Sequence, residues 1–145
     1  MKITVEKPKP NQEEEVIIRC RNLNECITEI ICSLKEEECR LTAYSDRDIV
    51  KLSPDKIYYF EAVDNKVFAC CEKQVYEVKL KLYEIEESLF NRDFIRISKS
   101  VIVNLNMIKS VSPMFNGRFE AKLKNEEKII ISRQYVPALK KVLGI

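Results

Sequence analysis

The chain has 145 residues, 46% of them hydrophobic and 33% charged, which is typical of a water-soluble globular protein with room for one domain and a short extension. It contains no apolar run near the roughly 18 residues that a membrane span needs and no signal-peptide core, so we expect a cytoplasmic protein. The net charge is only +2, but residues 1–95 carry 15 Lys and Arg against 20 Asp and Glu, a net charge of −5, whereas residues 96–145 carry 10 against 3, a net charge of +7. A basic C-terminal third suits phosphate binding, although a solvated lysine-rich face gives the same count.

The N-terminal segment is predicted to be an extension, because it has too few apolar residues for a core of its own. Met1–Val5 and Val16–Cys20 favour two short strands. Asn22 or Asn24 can cap a helix that we expect to end at Glu36–Glu38. The apolar residues of this helix recur at helical spacing, at Leu23, Ile27, Ile30, Ile31 and Leu34. Such a segment must pack on the rest of the chain or on a second copy, which makes it a candidate dimerisation element.

From Arg40 onward, short runs of β-branched and aromatic residues separated by turn residues predict a meander of adjacent antiparallel strands. The predicted strands are Arg40–Tyr44, Asp48–Leu52, Ile57–Ala62, Lys66–Cys71 and Val75–Lys79. The apolar spacing then becomes helical, which indicates one surface helix of about ten residues with Leu80, Leu82, Ile85 and Leu89 on its inner face.

The last third returns to strands. Strands are predicted at Phe94–Ile97, Ile108–Ser112, Phe119–Lys124 and Lys128–Ser132, with Val101–Leu105 as a strand or a helical turn. Asn116 and Gly117 form the strongest hairpin signal, because both central residues of a type I′ turn need positive φ. A final helix is predicted at Val136–Leu143, with Pro137 in its first turn and Gly144 after its end. The fold class is therefore mainly β with minor α.

Several catalytic groups are missing from the composition. The chain has no histidine, and Gly117 and Gly144 are its only glycines, so neither a P-loop nor a GxGxxG dinucleotide site can form. Six cysteines without a CxxC pair argue against a metal site and for structural, reduced thiols, although redox sensing by Cys26, Cys32 or Cys39 stays open. A cysteine nucleophile would lack its imidazole partner. We therefore predict a binding module with no enzymatic activity, no cofactor and no metal.

Three ordered blocks resemble the LytTR DNA-binding domain. They are IYYFEAVDNKVF from Ile57, FIRISKSVIVNL from Phe94, and SRQY before the last helix, joined by a β-hairpin. The positions that match the family pattern are Phe94, Arg96, Ser100, Asn104, Leu105, Ile108, Ser132, Arg133 and Tyr135. The resemblance covers about 100 residues, so we assign residues 41–145 to a LytTR-type domain and residues 1–40 to the extension.

The resemblance implies an elongated arrangement of antiparallel β-sheets with one or two short helices, whose loops enter successive major grooves of a direct-repeat DNA site. Carried over to this chain, the three base-reading positions are the turn at Asn65 and Lys66, the segment around Ser98 and Lys99, and Arg133. Many family members carry His-Arg where this chain has Ser98 and Lys99. Arg and Lys suit guanine O6 and N7, and serines suit phosphates. The expected phosphate contacts are Arg96, Ser100, Lys109 and Arg118, whereas Asn104 and Tyr135 are expected to be structural.

The common LytTR regulator carries a receiver domain of about 120 residues, and only about 40 residues precede the domain here. The resemblance therefore implies a regulator controlled by a partner instead of by phosphorylation, with double-stranded DNA, a homodimer on DNA and a small restraining membrane protein as the expected partners. The alternative is a β-rich protein-interaction module whose basic face meets an acidic partner. As the salt concentration rises, a sequence-specific DNA-binding protein still prefers its own site over other DNA. A basic protein-interaction module instead loses its affinity for all DNA sequences together.

Overall fold

A computed structural model describes residues 2–35, 40–89 and 92–145 of the chain, with Cys32 and Lys35 described by their backbone alone. The chain divides into two compact units, Met1–Leu34 and Lys35–Ile145. In the described residues, no helix is long and apolar enough to cross a membrane.

The N-terminal unit contains the predicted helix but not the predicted strands. Helix α1 spans Glu25–Lys35, and Asn24 is the capping residue, because its Oδ1 accepts a hydrogen bond from the Ile27 amide at 2.9 Å. The predicted strands at Met1–Val5 and Val16–Cys20 are wrong, since residues 2–24 contain no strand. An isolated strand leaves its backbone groups unpaired, and no strand in the described part of the chain pairs with residues 2–5 or 16–20. The predicted helix end at Glu36–Glu38 lies outside the described residues.

The larger unit begins with strands β1 to β5, at Leu41–Ser45, Asp48–Leu52, Ile57–Val63, Lys66–Cys71 and Val75–Val78. They belong to a seven-stranded sheet with the order β2-β1-β5-β4-β3-β7-β6. The predicted meander is correct for β3-β4-β5 and wrong for β2 and β3, which are not neighbours. A 3₁₀ turn at Pro54–Lys56 separates these two strands, and β1 pairs instead with β5, with Ala43 opposite Val78.

Helix α2, Leu82–Ser88, packs its apolar face onto this sheet. Leu82, Ile85 and Leu89 are buried in a cluster that includes Phe60 and Ile102 from the sheet. Strands β6 and β7, Phe94–Arg96 and Val101–Asn104, then join the free edge of β3. For Val101–Leu105 the sequence predicted a strand or a helical turn, and the structure contains both. Strand β7 ends at Asn104, and a 3₁₀ turn at Leu105–Met107 follows it.

A three-stranded sheet follows, with β8, β9 and β10 at Ile108–Pro113, Phe119–Leu123 and Lys128–Ile131 in the order β10-β9-β8. Asn116 and Gly117 join β8 to β9 with φ values of 63° and 72°, so the predicted hairpin and its positive-φ residues are confirmed. Helix α3 has the predicted bounds, Val136–Leu143, and ends at a left-handed Gly144. Its buried Val136 and Leu139 close a second core cluster with Tyr58, Ile97, Val103, Ala121, Leu123 and Ile131.

Asn104 and Tyr135, which the sequence predicted to be structural, make contacts within the fold. Asn104 is 3% exposed, donates to the Ile57 carbonyl at 2.9 Å and accepts from the Asn106 amide at 3.0 Å. It therefore links β7, the following 3₁₀ turn and the start of β3. Tyr135 is partly buried and packs against the second core cluster.

Candidate nucleic-acid interface

Two of the predicted DNA-reading segments lie at the same end of the seven-stranded sheet. The turn between β3 and β4 contains Asp64 and Asn65, whose φ values are 49° and 63°. The amide of Ala62, at the end of β3, donates to the Ser100 carbonyl at 2.8 Å, which joins this end of the hairpin to the loop before β7. Asn65 and Lys66 are exposed beyond this link.

The loop between β6 and β7, Ile97–Ser100, is held by short local hydrogen bonds. The amides of Ile97 and Ser98 both donate to the Val101 carbonyl, at 3.0 Å and 3.4 Å. The Ser98 hydroxyl oxygen accepts from the Ser100 amide at 3.2 Å, and the two serine hydroxyls lie 3.4 Å apart. Lys99 is exposed at the centre of this loop. The loop is therefore an ordered turn that presents one lysine between two serine hydroxyls.

Arg133 reaches the same loop from a distant part of the sequence. The amide of Ser132, just after β10, donates to the Ile97 carbonyl at 2.9 Å, and the exposed Arg133 follows. The two segments line one shallow cavity of about 680 Å³, together with Gln134. The lining side chains are Ser98, Lys99, Ser100, Ser132, Arg133, Gln134 and Tyr135. This list includes two cations and no carboxylate, which favours an anionic ligand.

The β8–β9 hairpin packs beside Arg133. A Cβ atom built on Gly117 would lie 3.3 Å from the Arg133 Cγ atom, so the glycine backbone supports the arginine side chain closely. Gly117 also has a φ of +72°, which favours glycine. The adjacent Arg118 is partly buried, and its Nε atom has no hydrogen-bond partner in the described residues. The hairpin therefore packs Gly117 against Arg133, and Arg118 follows Gly117 directly in the chain.

Arg96 and Lys109 are engaged within the chain. The Arg96 Nε atom donates to the Ser98 carbonyl at 2.9 Å, one terminal nitrogen donates to the Lys99 carbonyl, and the other contacts the Glu86 carboxylate at 2.6 Å. The Lys109 Nζ atom contacts an exposed Glu126 carboxylate at 3.2 Å, a kind of pair that contributes little to stability.

The structure therefore brings Ser98, Lys99, Ser100 and Arg133 together around one cavity, with Asn65 and Lys66 at the same end of the seven-stranded sheet. Arg118 is not among the residues that line this cavity. The sequence did not indicate that Ser132 and Gln134 line this cavity, or that Glu86 contacts Arg96. The position of Ser132 and Gln134 on either side of Arg133 was the only available signal.

Cys70 and Cys71 lie in strand β4, where Cys70 is buried and Cys71 is partly buried. Burial raises the pKa of the Cys70 thiol to about 11 and also raises the pKa of Cys71. Both thiols are therefore protonated at neutral pH, which suppresses their nucleophilic reactivity. Cys20 and Cys26 in the N-terminal unit are exposed.

We expect iodoacetamide at pH 8 to alkylate Cys20 and Cys26 well before Cys70 and Cys71 in the folded protein. Peptide mapping by mass spectrometry after short exposures measures the order, and the same reaction in denaturant is the control, in which the difference disappears. Because the pKa of Cys70 is raised, its rate should increase as the pH approaches about 11. Labelling of Cys70 as fast as Cys20 at pH 8 contradicts the burial argument.

Comparisons with known proteins identify the family to which the chain belongs. The family model described as the LytTr DNA-binding domain matches residues 47–144. Proteins of Staphylococcus aureus strains NCTC 8325 and MSSA476, named as uncharacterized HTH-type transcriptional regulators, are 31% identical over 138 residues and 30% identical over 135 residues. The first match covers 93% of each chain, and the second covers 92% of this chain and 91% of the relative. The solved LytTr DNA-binding domain of a Bacillus cereus methyl-accepting/DNA response regulator superposes with a TM-score of 0.70 and 30% identity, covering 73% of this chain and 97% of that one. The chain belongs to the LytTR family of DNA-binding domains.

Proposed function

We propose that this protein is a transcription regulator that recognises a direct-repeat DNA site by inserting loops into successive major grooves. The observation that carries the proposal is the convergence of Lys99 and Arg133, from separate segments, on one cavity whose lining, among the described residues, contains no carboxylate. The base-reading residues are Asn65 and Lys66 in the β3–β4 turn, Ser98 and Lys99 in the β6–β7 loop, and Arg133 after β10.

The chemistry of these side chains suits the two tasks of a DNA reader. A guanidinium can donate two parallel hydrogen bonds to O6 and N7 of guanine, and each good bidentate contact contributes about 1 to 3 kcal/mol of discrimination. The hydroxyl of Ser100 and the guanidinium of Arg118 suit phosphate oxygens, which fix the register of the protein on DNA without specifying bases. The Ser100 hydroxyl thus lines the same cavity as Lys99 and Arg133.

The names of the relatives support regulation of transcription. The Staphylococcus aureus proteins are named as transcriptional regulators, and the Bacillus cereus domain comes from a response regulator. Those Staphylococcus aureus names also indicate a helix-turn-helix type. In the described part of this chain, however, the converging basic residues lie on loops that follow strands, so we assign recognition to the loops.

We also propose that two copies bind the direct repeat, with residues 1–40 as a dimerisation element and residues 41–145 as the DNA-binding domain. Helix α1 supports this division, because Ile30 and Leu34 within it are 40% and 54% exposed and Leu23 just before its cap is 71% exposed. Exposed apolar side chains at helical spacing suit a second copy. The family resemblance is the ground for proposing a cytoplasmic protein that a small membrane protein restrains.

Selection of bound oligonucleotides from a random pool at physiological salt tests the proposed function. We expect the protein to enrich a short direct repeat and to keep its preference for that repeat over a scrambled duplex as the salt concentration rises. Loss of binding to both duplexes together, with no enriched sequence, contradicts the proposal and favours a basic protein-interaction module.

A further inference from the structure

The β6–β7 loop is tied to helix α2 through one side chain. The Arg96 guanidinium donates to the carbonyl oxygens of Ser98 and Lys99 with two of its nitrogens, and its third nitrogen lies 2.6 Å from a Glu86 carboxylate oxygen. Three nitrogens of one planar group therefore contact three acceptors. The Arg96 side chain is 25% exposed, so most of it lies within the protein instead of facing a ligand.

Helix α2 is a rigid base for this contact. Leu82 and Ile85 are buried on its inner face, and the Glu84 carboxylate accepts from the Lys81 amide at 3.2 Å at its first turn. Glu86 follows directly after the buried Ile85, so its position is set by the packing of the helix. The Glu86–Arg96 pair thus connects the large core cluster to the loop that presents Lys99.

We infer that Arg96, oriented by Glu86, is a positioning residue that holds the Ile97–Ser100 loop in the conformation that reads DNA. This role differs from the phosphate contact predicted from the sequence, and its DNA part rests on the proposed function. The fork of the guanidinium matches two adjacent carbonyl oxygens, which the single ammonium of a lysine cannot reproduce. Glu86 acts on DNA recognition only through Arg96.

The loop itself provides a test that needs no DNA. In the free protein, Glu86→Ala and Arg96→Lys should speed amide hydrogen exchange at Ser98 and Ser100 by about fivefold or more, because the loop opens more often. The control is Glu87→Ala, which removes the same charge from the adjacent position on α2 and leaves the Glu86–Arg96 contact intact. Equal exchange in the Glu86→Ala and Glu87→Ala variants overturns the inference. Thermal unfolding followed by circular dichroism verifies that each variant is folded.

DNA binding then tests the consequence of loop opening. We expect Glu86→Ala and Arg96→Lys each to lower affinity for the selected oligonucleotide about tenfold relative to a scrambled duplex, as expected for loss of a charge-assisted hydrogen bond. Their salt dependence should stay that of the wild type. If Arg96→Lys retains full affinity and Arg96→Ala weakens both duplexes with a salt slope smaller by about one, then Arg96 is a phosphate contact and the inference is wrong.

The two experiments separate this inference from the proposed function. If the wild type selects no sequence, the proposed function fails, and the DNA part of the inference fails with it. The exchange rates still decide whether Arg96 and Glu86 hold the loop. If the wild type selects a site and Glu86→Ala preserves the preference, the proposed function stands and the positioning role is wrong.

Discussion

Replacing Arg133 with alanine is expected to lower affinity for the selected DNA site by about tenfold to a hundredfold, as loss of one bidentate base contact predicts. Arg133 is exposed, lies against Gly117 and shares its cavity with Lys99, so its guanidinium is supported at the surface where DNA would lie. Weak affinity for a scrambled duplex should remain, because the other cations still contact phosphates. Titration of both duplexes by fluorescence anisotropy at physiological salt measures the ratio.

Lys141→Ala is the matched control for this prediction. It removes one positive charge from α3, outside the cavity lining, and should weaken both duplexes equally. Arg133→Lys keeps the positive charge but removes the planar guanidinium that can donate two parallel hydrogen bonds. This variant should therefore lose its preference for the selected duplex almost as completely as Arg133→Ala does. If Arg133→Ala weakens the selected and scrambled duplexes by the same factor, then Arg133 contacts phosphate and reads no base.

Asn104→Ala is expected to lower the free energy of unfolding by about 2 to 3 kcal/mol, because it leaves buried backbone partners without a hydrogen bond. The Asn104 side chain bonds the Ile57 carbonyl at 2.9 Å and the Asn106 amide at 3.0 Å, and it is almost completely buried. Alanine can replace neither bond. Urea unfolding followed by circular dichroism measures the change.

Asn106→Ala provides the comparison on the same turn. The Asn106 side chain donates to Asp93 at 2.9 Å at an exposed position, so its loss should change the free energy of unfolding by less than about 0.5 kcal/mol. Similar costs for the two substitutions would show that burial of Asn104 does not set the energy. A small cost for Asn104→Ala would contradict its proposed role as a link between β7 and β3.

Elements whose signals are local could be predicted from the sequence. Strand β4 and helix α3 have the predicted bounds, because a short apolar run between turn residues and the Pro137 and Gly144 pair are signals that act within a few positions. The Asn116-Gly117 turn needs only the left-handed conformations that these two residues tolerate. Helix α1 follows from its cap at Asn24 and its apolar spacing.

Strand pairing could not be predicted in the same way. Val16 and Ile17 have strand-like composition but form no strand, and their side chains are 67% and 62% exposed. A strand is stable only when a neighbouring strand pairs with its backbone hydrogen-bonding groups. The position of β1 beside β5 likewise depends on a non-local pairing of Ala43 with Val78. Composition and periodicity contain no information about which edge a strand will join.

The sequence by itself determined the fold class, the family blocks and the candidate site residues, since each depends on residue type at a fixed spacing along the chain. Only the tertiary structure decided how these residues meet. The bond from the Ser132 amide to the Ile97 carbonyl places Arg133 beside Lys99, and the Glu86 carboxylate on α2 engages Arg96 beneath the same loop. The first contact joins distant parts of the sequence, and the second joins two different elements across ten positions. Both arise from the packing of sheets and helices, which no local pattern encodes.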